Sequence, residues 1–206
     1  MILPMFPLGT VLLPGQLLPL HVFEERYRVM MDEVGRMPTP IFGVVLIERG
    51  SEVGGQDHRF AVGTCARILR VQELEGERLA VIAGGTNRLR VTRWLEDDPF
   101  PCAEVIDMPE GRSDDDAALL DSVHARHRRI AAMATEMGFG RFFTTEREGK
   151  DPSLDLYTMI AESPLGPMDR QALLEIDQLG ERLKRFDQLL VEEENLLLME
   201  LRRLAD

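Results

Sequence analysis

Four prolines, Pro4, Pro7, Pro14 and Pro19, interrupt an apolar opening stretch that has no acidic or basic residue other than His21 before Glu24. A continuous helix cannot run through them, because each proline removes a backbone donor and strains the helix by roughly 3 kcal/mol or more. A membrane-spanning helix fails for the same reason, since hydrocarbon offers the orphaned backbone groups no other partner. A secretory signal does not fit either, for want of a positively charged start and of an apolar core ending in small residues. The pattern predicts a short strand, a turn at Pro14-Gly15 and a second strand through Leu17, Leu18, Leu20 and Val22. A helix from about Phe23 follows through Val29, Met30 and Val34, with Gly35 and Pro38-Thr39-Pro40 ending it.

The rest of the first half reads as strands. Ile41 to Ile47 is a near-continuous apolar run of strand length, and Glu48–Arg59 is a polar, glycine-rich loop. A hairpin turns at Glu75-Gly76, between the run from Phe60 to Val71 and the run Leu79, Val81 and Ile82. Asn87 to Trp94 alternates, with Leu89 and Val91 on one face and Arg88 and Arg90 on the other. Phe100, Cys102, Val105 and Ile106 finish a closed, mostly β region over residues 1–110.

The second half, residues 113–203, reads as four helices forming a bundle. Ser113 with Asp114, Asp115 and Asp116 starts the first, whose stripe is Leu120, Val123, His127, Ile130, Ala134 and Met137. Gly138 and Gly140 stop it, and Phe139–Lys150 is a loop. Asp151-Pro152 caps a short helix through Leu154, Tyr157 and Ile160. A third carries Ala172, Leu173 and Ile176. The last begins near Asp177 and carries Leu179, Leu183, Phe186, Leu190, Leu197 and Leu201, with Leu196, Leu198 and Met199 left to form a small exposed patch.

Charge narrows the partners. The net charge is −12, and both halves are acidic: residues 1–110 hold eleven arginines and no lysine against sixteen acids, and residues 111–206 hold thirteen bases against twenty acids. Such a surface repels phosphate backbones and anionic lipid at long range. Cys65 and Cys102, in predicted strands, read as small apolar side chains of a cytoplasmic protein rather than as a disulfide.

Few residues suggest chemistry. No G-x-x-x-x-G-K-[ST] phosphate cradle is present, and the lysines, Lys150 and Lys184, stand in a loop and on a polar helix face. Gly84-Gly85 reads as a turn or bulge. Asp121, His124 and His127 do not converge well enough for a metal site, because Asp121 is rotated away from His127. Phe23 and Tyr27 read as an aromatic pair on the buried side of a helix. Arg67, Arg70, Arg88, Arg90 and Arg93 define a candidate basic patch, although interleaved acids favour a salt-bridged, solvated sheet.

The runs Leu3-Pro4-x-Phe6-Pro7-Leu8, Leu12-x-Pro14-Gly15, Leu18-Pro19-Leu20 and Phe23-Glu24-x-Arg26-Tyr27 resemble the opening of the Lon N-terminal domain. That domain is the substrate-binding module of Lon proteases and also occurs as a free-standing bacterial protein. The likeness extends through Val62-Gly63-Thr64-x-Ala66-x-Ile68, Gly85-x-x-Arg88-x-Arg90-Val91 and Arg170-Gln171-Ala172-Leu173-Leu174-Glu175, and so covers residues 3–203. Gly84 is a departure, standing where the family commonly has Glu. The resemblance implies an α+β fold, a PUA-like pseudo-barrel followed by a helical bundle. It further implies a non-catalytic adaptor or holdase, without metal or cofactor, that holds apolar or unfolded polypeptide between the barrel and the bundle and works with a protease or chaperone. Phe139, Phe142, Phe143, Met133 and Met137 are the candidate polypeptide-binding residues, with Met159, Met168 and a sheet edge beside them. An RNA- or small-ligand-binding module remains the alternative, because other PUA-like proteins bind RNA.

Overall fold

A computed structural model describes residues 1–49, 58–111, 116–138 and 151–205. The chain divides into two compact units, Met1–Pro109 and Glu110–Asp206. With six strands and five helices among the described residues, the fold is α+β, as expected.

The first unit contains β1 (Ile2–Leu8), β2 (Leu17–Val22), α1 (Glu25–Gly35), β3 (Ile41–Arg49), β4 (His58–Leu74), β5 (Arg78–Trp94) and β6 (Cys102–Met108). The sheet order is β2-β5-β4-β3-β1-β6, and a further β5–β6 pairing closes β5, β4, β3, β1 and β6 into a ring. β5 can serve three neighbours because it is 17 residues long. Its first half pairs with β2, its second half with β6, and β4 accompanies most of its length. Gly76 and Glu77 form the predicted β4–β5 turn with positive φ. β3 and β4 extend into the predicted loop, to Arg49 and from His58.

The opening prolines occupy positions where the ladder needs no N–H. β1 pairs with β6 through Ile2–Pro4 and with β3 through Met5–Leu8. The Met1 ammonium and Met5 N–H both donate toward β6, so by alternation Pro4 points toward β3 and Pro7 toward β6. Each therefore faces a side on which β1 has no ladder partner at that residue.

The segment after β1 packs onto the barrel rather than looping away. Val11, Leu12 and Leu13 are buried, and the Thr64 hydroxyl donates to the Leu12 carbonyl at 2.6 Å. Gly15, at φ 81°, donates to the Gly85 carbonyl, and Gly85 N–H donates to Gln16, each at 2.9 Å. A side chain on Gly85 would place its Cβ 2.4 Å from the Leu13 carbonyl oxygen. The glycine pair precedes a bulge in which Thr86 and Asn87 oppose Cys65. Two apolar clusters fill the unit, one around Phe6, Tyr27, Met30 and Phe42, the other around Met5, Val45, Leu89 and Val105. Cys65 lies in the second and Cys102 packs against the first; both thiols are free, and burial pushes both above their ordinary pKa.

The second unit contains α2 (Asp116–Glu136), α3 (Pro152–Glu162), α4 (Pro167–Glu175) and α5 (Leu179–Ala205). Asp151 caps α3, accepting from Ser153 N–H at 2.9 Å. The predicted α2 stripe is buried from Leu120 to Ala134, while Met137 lies beyond the helix and half-buried. Leu179, Leu183, Phe186, Leu190 and Leu197 of α5 are buried too, but Leu201 is 40% exposed, so the packed stripe ends before it. Arg182 is wholly buried: it donates to Glu110 at 2.7 Å, to the Leu173 carbonyl at 3.0 Å and to the Ile176 carbonyl, and lies 4.8 Å over the Tyr157 ring. Tyr157 donates to the other Glu110 oxygen at 2.8 Å.

His127 is 1% exposed, with its ring 6.2 Å from that of Phe186. Burial, with a smaller contribution from His124, lowers its pKa from 6.5 to about 4. The folded residue thus stays neutral in a range where the unfolded chain takes up a proton. Stability is complete above about pH 6.5 and falls as pH drops toward 4, by on the order of 2–3 kcal/mol. Urea titrations of wild type and His127→Leu across that range are expected to show a shallower acid slope in the variant; equal slopes would refute the assignment. Gly85→Ala should cost roughly 1–3 kcal/mol, because a carbonyl cannot yield. Gly84→Ala should cost under about 1 kcal/mol, because its Cβ meets only the tip of Leu69, at 3.3 Å. Urea midpoints of the two variants test that contrast.

Candidate functional site

β2 lies at the end of the sheet order, with β5 on one side and no strand on the other among the described residues. Gly85 N–H bonds Gln16, so by alternation Leu18, Leu20 and Val22 direct their backbone groups to β5. Leu17, Pro19 and His21 direct theirs to the outer edge, which proline tolerates because it has no N–H to leave unpaired. The edge therefore offers the N–H groups of Leu17 and His21 and the carbonyls of Leu17, Pro19 and His21.

A cleft of about 270 Å³ runs beside this edge. Phe6 and Leu8 of β1, residues 18–22 of β2, and Phe23 and Tyr27 line it. Tyr27 forms its floor, stacked on Phe6 at 4.2 Å and 14°, with Arg26 4.6 Å over the ring and bound to Glu24 at 3.0 Å. Phe23 corrects the expectation of a buried aromatic pair. Tyr27 is 4% exposed, but Phe23 is 58% exposed, because α1 starts at Glu25 and Glu24 is still extended. Phe23 thus precedes the helix and does not share a helical face with Tyr27.

The outward face of the neighbouring ladder continues this apolar surface. Leu17 is paired with Gly84, and Pro19 with Ile82. Leu17, Leu69 and Ile82 are all exposed, and Leu69 reaches over Gly84. A side chain at position 84 would crowd the tip of Leu69, 3.3 Å from the Cβ position. Main-chain donors and acceptors beside apolar side chains are what an extended peptide requires.

The candidate arginines do not form one patch. Arg67 and Arg70 are exposed on either side of Leu69, whereas Arg90 is half-buried beyond the bulge. Arg88 is 1% exposed, contrary to its expected place on a solvated face, and donates to the Pro109 carbonyl at 3.1 Å. Arg93 bonds Glu104 at 2.5 Å and holds that carboxyl below its ordinary pKa. Of the other predicted residues, Phe139, Phe142 and Phe143 lie outside the described residues. Met133 and Met137 are half-buried, Met159 is buried and Met168 exposed. Among the described residues no group of three His, Cys, Asp or Glu side chains is placed to hold a metal ion. No helix among them is long and apolar enough to cross a membrane.

The model of the ATP-dependent protease La (LON) substrate-binding domain matches residues 2–192. Lon protease 2 of Herpetosiphon aurantiacus is 28% identical over 204 residues, covering 96% of this chain and 24% of the relative. The Lon protease of Koribacter versatilis is 28% identical over 199 residues, covering 93% and 24%. The chain thus spans about a quarter of these relatives' length. Among solved structures, a Lon N-terminal domain protein from Xanthomonas campestris superposes with a TM-score of 0.61 at 28% identity, covering 93% of this chain and 98% of that one. The N-terminal domain of a Mycobacterium avium complex Lon protease has the same fold, with a TM-score of 0.64 at 21% identity over 94% and 97% of the two chains.

Proposed function

The chain belongs to the LON substrate-binding domain family, and from that premise we propose that it binds non-native polypeptide by accepting an extended apolar segment along the outer edge of β2. The observation that carries this reading is the juxtaposition of that edge with two large exposed apolar side chains, Leu17 and Phe23. The segment pairs its main chain with residues 17–21 and lays alternate side chains into the cleft over Tyr27 and against Leu17. Main-chain pairing is indifferent to sequence and the pockets ask only for apolar bulk, so many unfolded clients qualify and folded ones do not. This is the action of an adaptor or holdase: it holds polypeptide and makes or breaks no covalent bond.

The test is fluorescence anisotropy with a permanently unfolded, carboxymethylated model protein and, separately, a short RNA. Binding of the unfolded protein is expected, and Leu17→Asp or Phe23→Asp should weaken it by about tenfold or more, equivalent to about 1.4 kcal/mol, with far-UV circular dichroism unchanged. A peptide ligand N-methylated at alternate residues should bind less well than its parent. Salt-sensitive RNA binding without binding of unfolded protein would replace this reading with a nucleic-acid module at Arg67 and Arg70.

A further inference from the structure

After Asn195, α5 carries the apolar run Leu196, Leu197, Leu198 and Met199, more apolar surface than one buried stripe uses. Leu197 packs into the helical unit, yet Leu196 is 56% exposed, Met199 57%, Val191 36% and Leu198 38%. At 100° per residue, Glu192, Leu196, Met199 and Arg203 fall within about 60° of one another, on a flank of the helix about 130° round from the centre of the buried stripe. Their i, i+4, i+7, i+11 spacing is that of a helix-pairing seam.

The seam is chemically directional. Its centre is apolar, Leu196 and Met199, while its ends carry opposite charge, Glu192 and Arg203. We infer that this face binds a second copy of the chain, the two α5 helices antiparallel about a two-fold axis between positions 197 and 198. That axis sets Leu196 against Met199 and Glu192 against Arg203, each contact made twice, as an isologous interface requires. A parallel pair would stack Glu192 on Glu192 and Arg203 on Arg203, so charge selects the antiparallel form. Asn195 and Glu200 oppose each other at the flank. Arg203 also lies 3.6 Å from Glu200, its side chain 80% exposed, and turns between that neighbour and the partner helix. Four residues a side is a small contact against the roughly 1,200 Å² of a standard interface, so the dimer forms reversibly as concentration rises.

Sedimentation equilibrium of the whole chain from about 10 μM to 1 mM should show the mass rising from 23.3 kDa toward twice that value. Glu192→Arg and Arg203→Glu, each alone, should weaken association by about tenfold or more, because each sets like charges across the axis. An equimolar mixture of the two variants should associate again, since one carries only arginines at the seam ends and the other only glutamates. Leu196→Asp should stay monomeric with unchanged far-UV circular dichroism. A wild type monomeric throughout the range, a dimer indifferent to the charge changes, or a mixture that does not recover would each overturn the pairing.

Discussion

Closure of the sheet on itself is the constraint on which the first unit rests. A sheet of this size left open would expose two rows of unpaired backbone groups. Here β5 removes most of that exposure by carrying β6 on the far side of a bulge and β2 on the near side. The bulge at Thr86 and Asn87 bends the strand, and the close approach of the Leu13 carbonyl to Gly85 packs the preceding segment against the bend. The outer side of β2 stays unpaired in this arrangement, bordered by exposed apolar side chains, as does the side of β4 beyond Ile68 that β3 does not reach. The same closure that stabilises the unit thus leaves β2 with a strand on one side only among the described residues.

The helical unit solves a different problem around Arg182. A buried guanidinium is tolerable only when its donors are placed, and Glu110, two carbonyls and the Tyr157 ring supply those partners. The two carbonyls belong to Leu173, in the last turn of α4, and to Ile176, which follows it. Arg182 therefore caps one helix from the first turn of the next, and the Gly111–Gln178 bridge holds the connecting segment alongside. Such an arrangement selects one packing of α4 on α5 more than it adds net stability, since an apolar replacement of similar volume avoids the desolvation cost.

Much of this architecture was legible in the chain because its signals are local. Proline spacing, the Glu75-Gly76 turn, the Asp151-Pro152 cap and the α2 stripe each report on a few neighbouring residues. Residues whose environment is set from afar were not legible. Arg88 alternates with Leu89 as a surface arginine should, but a carbonyl 21 positions away receives it in the interior. Phe23 shares an i, i+4 interval with Tyr27, and only the extended backbone of Glu24 shows that no helical face joins them. The β2 edge was anticipated in kind and not in place, because strand order is a property of the closed sheet.

Pairing of the first strand with the last has a consequence for how the polypeptide matures. Met1 and Val105 exchange backbone contacts across a separation of 104 residues, and β1 gains its β6 neighbour only when residues 102–104 exist. On a translating ribosome the β4–β5 hairpin, whose partners are close in sequence, can assemble early, while β1 waits with one side open. An unfinished barrel of this kind is itself an exposed apolar chain, whose open strand edges invite pairing with other chains until β6 arrives.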